Sequence, residues 1–376
     1  MVMLCGGRFH GGSAPSGAAD AAVTPGELPG ASSNKELIMA MKEASFYTKD
    51  KDSIVHCGLC PHHCRIKPGE VGTCGVRRND GGTLVSLVYG LTVAENVDPI
   101  EKKPLFHFLP GSTSFSIATA GCNLHCRHCQ NADISQMPRD AGTIAGHPLA
   151  PEEAVRRALK AGCASISYTY TEPTVFFEYA FDTAVLAKKA GLKNVFVTNG
   201  YTAAEPLRAI APYLDAANVD LKSFSDAFYK KICGARLQPV LDTLKLYREL
   251  GIWLEVTTLV IPGENDSDED LAGCARFVAD ELGRDVPWHV SAFYPTYLLT
   301  ERPRTPPPTL RRARRIGLEA GLKFVYEGNI PGEGEETLCP GCGKPVISRY
   351  GYTVNENRLR SGRCPDCKAT VSGVWG

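Results

Sequence analysis

Between residues 113 and 327 short apolar runs alternate with longer stretches of helical periodicity, and this alternation narrows the possible folds more than any other feature. Strands are expected at Thr113–Thr119, Ser165–Tyr170, Asn194–Thr198, Asn218–Lys222, Trp253–Val260, Trp288–Tyr294 and Lys323–Tyr326. Helices are expected between them, over Pro151–Gly162, Thr174–Ala190, Ala203–Leu214, Asp242–Leu250, Asp268–Glu281 and Thr309–Ala320. In the first of these, Val155, Ala158 and Leu159 recur at helical spacing. No Gly-x-Gly-x-x-Gly fingerprint follows the first strand. A repeat of this length predicts an α/β fold, a parallel βα barrel of TIM type, complete or partial, ahead of a doubly wound sheet. Barrels of this kind place their chemistry at the carboxyl ends of the strands, so the residues just after each strand are the candidates.

Cysteine supplies the next constraint. Eleven of the 15 cysteines fall in three tight groups: Cys57, Cys60, Cys64 and Cys74; Cys122, Cys126 and Cys129; Cys339, Cys342, Cys364 and Cys367. Such close pairs suit a shared metal better than disulfides between distant elements. With no basic segment leading into an apolar one, no signal peptide is expected, and the chain reads as a cytoplasmic metalloprotein. The 41 basic residues are matched by 41 acidic ones, which argues against a surface built to grip nucleic acid. No apolar run is long and unbroken enough for a membrane span. Residues 1–40 are rich in Gly, Ala, Ser and Pro and are expected to be a disordered extension. The remaining divisions are expected to be a Cys-rich module over 41–110, the barrel over 111–332 and a small module over 333–376. Within the first module a strand is expected at Thr83–Tyr89, and a loop from Asp98 to Pro110 leads into the barrel.

Each cysteine group has its own chemistry. Cys122, Cys126 and Cys129 follow the first barrel strand, and three thiolates on so short a loop can surround one four-iron cluster while leaving one iron open. Cys339 with Cys342 and Cys364 with Cys367 form two knuckles, with 21 residues between Cys342 and Cys364, at zinc-ribbon spacing. Cys57, Cys60, Cys64 and Cys74 suit zinc or a second iron–sulfur cluster, with zinc the first choice and His56, His62 and His63 as substitute ligands. At the end of the fourth strand Asp220 and Lys222 point to one side, and their opposite charges suit a zwitterionic amino acid. Glu255 lies within an apolar strand, where a carboxylate is costly to bury unpaired, so it is expected to face the site. His289 is either a substrate ligand or a satisfied core histidine.

The spacing of Cys122, Cys126 and Cys129 resembles the radical S-adenosylmethionine signature. That resemblance implies a [4Fe–4S] cluster whose open iron binds S-adenosylmethionine, reductive cleavage of the sulfonium, and a 5′-deoxyadenosyl radical that attacks a substrate. It implies adenine stacking for His128 and an apolar adenine contact for Ile261. It implies an S-adenosylmethionine ammonium contact for Thr171 and Glu172, and cofactor-lining positions for Thr198, Asn199, Asp220 and Lys222. Across residues 41–376, Cys57 to Cys64, Cys122 to Asn131, Tyr170 to Thr174, Gly328 to Gly332 and Gly373 to Trp375 resemble the AmmeMemoRadiSam-system radical SAM enzyme. That family is related to pyruvate formate-lyase activating enzymes. Ala132 stands where its members often have Trp. The system's name implies association with Memo-type and AMMECR-type proteins, and the reaction implies a reductant such as flavodoxin or ferredoxin. Two alternatives stand beside an enzyme with an unidentified substrate. One is an activase acting on a glycyl-radical partner. The other is a zinc-ribbon adaptor without catalysis, whose basic patch would be Arg311, Arg312, Arg314 and Arg315. Only six residues separate Gly332 from Cys339, so the carboxyl-terminal module is expected near the barrel mouth.

Overall fold

A computed structural model of the chain describes residues 41–376 apart from Pro331 and Glu333. The extension expected over residues 1–40 lies outside them. Seven parallel strands form in the expected places: β2 (Thr113–Thr119), β3 (Ser165–Tyr168), β4 (Lys193–Thr198), β5 (Ala216–Asp220), β6 (Trp253–Val260), β7 (Trp288–Ala292) and β8 (Val325–Gly328). They pair in sequence order. Each connection carries a helix on the outer face: α1 (Pro151–Lys160), α2 (Phe177–Lys189), α3 (Ala204–Ile210), α4 (Leu237–Glu249), α5 (Asp268–Phe277) and α6 (Pro307–Glu319). Among the described residues β8 has no second neighbour in the sheet, so the barrel is partial.

Local chemistry sets the helix ends. Ser267 caps α5 by accepting from the Asp270 amide, and Asp268, Glu269 and Asp270 sit where the helix dipole favours negative charge. Pro151 opens α1, with Glu152 and Glu153 behind it and Lys160 in the last turn. Helix α4 begins at Leu237, five residues before the expected start. Pro239 hid that first turn from a reading by sequence, although a missing amide there breaks no hydrogen bond.

Residues 91–99, counted above with the Cys-rich module, form a nine-residue strand β1 (Leu91–Pro99). It pairs antiparallel along β2, from Thr92 opposite Thr119 to Pro99 opposite Thr113. Asn96, Asp98 and Pro99 are poor strand formers, tolerated here near the sheet's edge. The strand expected at Thr83–Tyr89 runs from Thr83 to Ser86 and belongs to a separate small antiparallel sheet with Lys42–Glu43 and Arg77–Asp80.

The segment from Ile100 to Pro110 closes the barrel floor. Leu105 and Phe108 pack against Val195 and Ala216 at the amino ends of β4 and β5. The carboxyl-terminal module stands beside β8, in the open seam. Its Val346, Ile347, Leu359 and Val371 share one apolar cluster with Phe106 of the floor and Phe324 and Tyr326 of the barrel. Arg349 ties these parts together: its guanidinium donates to the carbonyls of Phe106 (2.6 Å) and Glu335 (3.2 Å) and lies 4.4 Å above the Phe106 ring.

Candidate active site and metal centres

The sequence from Gly121 to Asn131 makes a tight loop over the carboxyl end of β2. Gly121 has φ +98°, and a Cβ there would stand 2.6 Å from Val76 and 3.0 Å from the Cys74 carbonyl. Only glycine suits that position. The loop is also held from the far side. His125 and Arg127 donate their amides to the carbonyls of Cys233 and Ile232, each at 2.9 Å, at the end of a short π-helical segment, Tyr229–Cys233.

One cavity of about 480 Å³ lies at the barrel mouth, within the usual size of a small-molecule site. Its wall carries Cys122, Cys126, Cys129, His128, Thr171, Glu172, Thr198, Asn199, Asp220 and Lys222. Protein donors already point at two of the sulfurs: the Leu124 amide (3.4 Å) and the Asn199 amide nitrogen (3.6 Å) at Cys122, and the Ser135 hydroxyl (3.1 Å) at Cys129. Burial pushes the Cys122 and Cys129 thiols up, so thiolate there calls for a bound cation. Cys126 is held below the ordinary thiol value by a hydrogen bond from the Cys233 thiol. Three cysteines with donors aimed at their sulfurs, on the wall of a cavity, fit a cluster ligated on three corners.

The Lys222 ammonium lies 2.8 Å from the Asp220 carboxylate. Burial alone would lower the Lys222 pKa; Asp220 and the neighbouring thiols Cys126 and Cys233 outweigh it and hold the value well above normal. His128 is buried near Phe228, with ring centres 6.1 Å apart. Burial, then the Lys222 charge, pushes its pKa down to about 3, so the imidazole is neutral. Its Nδ1 has no hydrogen-bond partner among the described residues.

Three expectations are corrected in detail. Glu172 lies at the cavity wall, but its carboxylate is already taken: it accepts from the Thr174 amide and hydroxyl, the Thr198 hydroxyl and the Asn199 amide, all within 3.0 Å. Glu255 does not line the cavity. It sits deeper, accepting from the amides of Phe106 (3.0 Å) and His107 (2.8 Å), from Trp253 (3.1 Å) and from His289 (2.7 Å). Ile261 is fully buried in the core and does not line the cavity either. Other wall residues take roles that the sequence did not assign. Tyr170 adopts φ +65° and hydrogen-bonds Asp98, which also pairs with Lys102 (2.8 Å) and Lys103 (2.6 Å). Behind the wall, the Cys233 sulfur lies within 4.8 Å of the ligand atoms of Cys126 and His128. Tyr350, Gly351 and Tyr352 reach the rim from the carboxyl-terminal module, as its short tether predicts.

That module brings Cys339, Cys342, Cys364 and Cys367 together, all four sulfurs within 4.8 Å of one another. The Cys339–Cys367 and Cys342–Cys364 separations are 3.4 and 3.8 Å. Four sulfurs at about 2.3 Å from one zinc stand about 3.8 Å apart, so this set is consistent with a zinc ribbon. The proposed basic patch is not a free cationic surface. Arg312 pairs with Asp266 and Asp268, Arg315 with Glu319, and Arg314 donates to the Val325 carbonyl. No helix of the described residues is long and apolar enough to cross a membrane.

Comparison with known proteins accords with this geometry. The model of the Radical SAM superfamily matches residues 116–275. An uncharacterized protein of Methanocaldococcus jannaschii is 50% identical over 337 residues, 89% of this chain and all of that one. A pyruvate formate-lyase-activating enzyme of Clostridium pasteurianum is 26% identical over 42% of this chain and 66% of its own length. A radical SAM methyltransferase structure from Sphaerobacter thermophilus aligns at TM-score 0.47 and 19% identity, over 63% of this chain and 71% of that one. The chain carries a Radical SAM domain over residues 116–275 and is an enzyme whose cofactors are a [4Fe–4S] cluster and S-adenosylmethionine.

Proposed function

We propose that Cys122, Cys126 and Cys129 hold the [4Fe–4S] cluster, and that Asp220 and Lys222 receive the ammonium and carboxylate of S-adenosylmethionine. The observation that carries this reading is the single cavity lined by both the three thiols and a pair of opposite charges matched to a zwitterion. When bound, the cluster supplies the electron that divides S-adenosylmethionine into methionine and a 5′-deoxyadenosyl radical. The chain's own residues position and shield. His128 presents a neutral ring at the wall. Glu172 fixes the end of β4, and with it Thr198 and Asn199, rather than reaching the cofactor itself. Tyr350 and Tyr352 stand at the rim of the site, where substrate must pass them.

The substrate is one that enters a cavity of this size beside the cofactor and gives up a hydrogen atom. The quoted motifs support placing the chain in the AmmeMemoRadiSam system, in the cytoplasm, with Memo-type and AMMECR-type partners and a flavodoxin or ferredoxin as reductant. A second reading, an activase for a glycyl-radical partner, draws on the activating-enzyme relative, whose match covers less than half of this chain. Anaerobic reconstitution followed by a product assay tests the central reading. Alanine at Cys122, Cys126 or Cys129 should abolish 5′-deoxyadenosine formation. Lys222→Ala should keep the iron but weaken S-adenosylmethionine binding by about 1.5–3 kcal/mol, the worth of one charged hydrogen bond. A variant lacking all three cysteines that still makes 5′-deoxyadenosine overturns the assignment.

A further inference from the structure

The amino-terminal cysteines converge on a place of their own. Cys57, Cys60, Cys64 and Cys74 line one small cavity, together with Arg77 and Asn123. The nearby histidines point elsewhere: His56 Nε2 meets Asp50 at 3.0 Å and His62 Nε2 meets the Asn123 carbonyl at 2.7 Å. None of His56, His62 and His63 lines the cavity.

Spacing distinguishes the kinds of group such a site fits. The ribbon sulfurs all lie within 4.8 Å of one another. Among the described residues, no three of Cys57, Cys60, Cys64 and Cys74 are drawn together so closely, and neither are Cys122, Cys126 and Cys129. The chain thus contains its own ruler. The set with zinc geometry is tight, whereas the set that carries the radical SAM signature is wide, because each thiolate of a cube binds a different iron. The amino-terminal set is wide as well.

Arg77 adds an independent observation. It is 1% exposed. Its Nη2 donates to the Ser45 carbonyl at 2.6 Å and lies 3.1 Å from Glu178. Its Nε and Nη1 have no hydrogen-bond partner among the described residues. Two unsatisfied buried donors on a cationic group beside four thiols are costly unless the cavity holds an acceptor. Inorganic sulfide and metal-bound thiolate are both such acceptors; a cluster supplies the two together, whereas zinc supplies the thiolates alone.

We propose that Cys57, Cys60, Cys64 and Cys74 ligate a second [4Fe–4S] cluster, with Arg77 donating hydrogen bonds to it. All four irons are then held by the protein, leaving none open for a substrate, so the group serves as an electron carrier. Asn123 lines this cavity and Cys122 lines the other, which sets the carrier against the loop that would hold the first cluster. A low-potential donor of the flavodoxin or ferredoxin type would give up one electron to the second cluster. The second cluster would pass that electron to the first and return to its oxidised state.

Metal analysis of the reconstituted full-length protein, with Mössbauer spectroscopy to identify the iron, tests this directly. The expected content is about eight iron and one zinc per chain. About four iron with two zinc overturns the proposal, and so does about four iron with one zinc. In the full chain carrying Cys122→Ala, Cys126→Ala and Cys129→Ala, about four iron should remain as a [4Fe–4S] cluster whose EPR signal is unmoved by S-adenosylmethionine. Loss of all iron from that variant, with its fold intact by circular dichroism, overturns the second cluster. Should the variant not fold, the metal count of the unaltered protein decides. Retention of all the iron would instead overturn the assignment of Cys122, Cys126 and Cys129.

Discussion

Glu255 shows how a single residue can be read correctly in direction and wrongly in depth. Strand alternation puts it on the same side as Thr257 and Leu259, which do line the cavity. It lies one step further toward the floor, where two amides, an indole and an imidazole converge on it. Alternation carries no information about height along a barrel axis, and nothing local announces that residues 106 and 107 return to that spot. Glu255→Ala would strand His289 and two buried amides, and should lower stability by about 3–5 kcal/mol, measured by denaturant unfolding. His107, beside it, gives a pH signature. Its ring contacts the Ser372 carbonyl (2.7 Å) and the Tyr326 hydroxyl (2.5 Å), and burial pushes its pKa down to about 4 from 6.5. The unfolded chain therefore binds the extra proton first. The stability this neutral ring contributes is complete above about pH 6.5 and is lost as pH falls toward 4, roughly 3 kcal/mol in all. Comparing unfolding free energies of the protein and of His107→Gln across that range checks this, since the variant should lose less stability on acidification.

At the scale of elements, the strands and helices of the barrel were legible because burial imposes two clear periods on the sequence. Strand β1 and the floor segment were not, because their stability comes from long-range partners. Asp98, at the end of β1, is a poor strand former on its own. In place, it is held below the ordinary carboxylate range: burial acts to raise it, but Lys103, Lys102 and Tyr170 outweigh that. Lys103 is fully buried above the Tyr170 ring, at 4.5 Å. Lys103→Ala leaves Asp98 with Lys102 and Tyr170 still beside it, so the expected loss is near the lower end for a broken buried pair, about 3 kcal/mol by chemical denaturation. The cysteine loop depends on its neighbours in the same way. Gly121→Ala forces a Cβ into Val76 while the backbone keeps φ +98°. A cost of about 1–3 kcal/mol is expected from the backbone alone. Iron content should fall in step, because the displaced side is the one that carries Cys74.

For the whole molecule, the carboxyl-terminal module is part of the barrel's wall. The cysteine spacing predicted a metal knuckle pair and the short tether predicted nearness to the mouth, but neither could show that Phe106, Phe324 and Tyr326 are buried beneath it. A chain cut at Gly334 would expose that cluster and leave Glu101 without Arg349, its ion-pair partner at 3.7 Å. Such a truncation should aggregate, as size-exclusion chromatography would show. Cys364→Ser, which spares the surface, should lower the melting temperature of one shared calorimetric transition. A separate low-temperature transition for the ribbon would contradict a common core. The floor adds a matter of timing. Phe108 bridges to Val374, with hydrogen bonds of 2.7 Å from the Val374 amide to the His107 carbonyl and from the Leu109 amide to the Val374 carbonyl. A contact between residues so far apart in sequence is among the slowest to form. During synthesis the barrel strands and the radical SAM cysteines leave the ribosome long before residue 374 does, so the floor stays unlatched until then. Metal that reaches the cysteine loop before then meets a barrel whose base is not yet fastened.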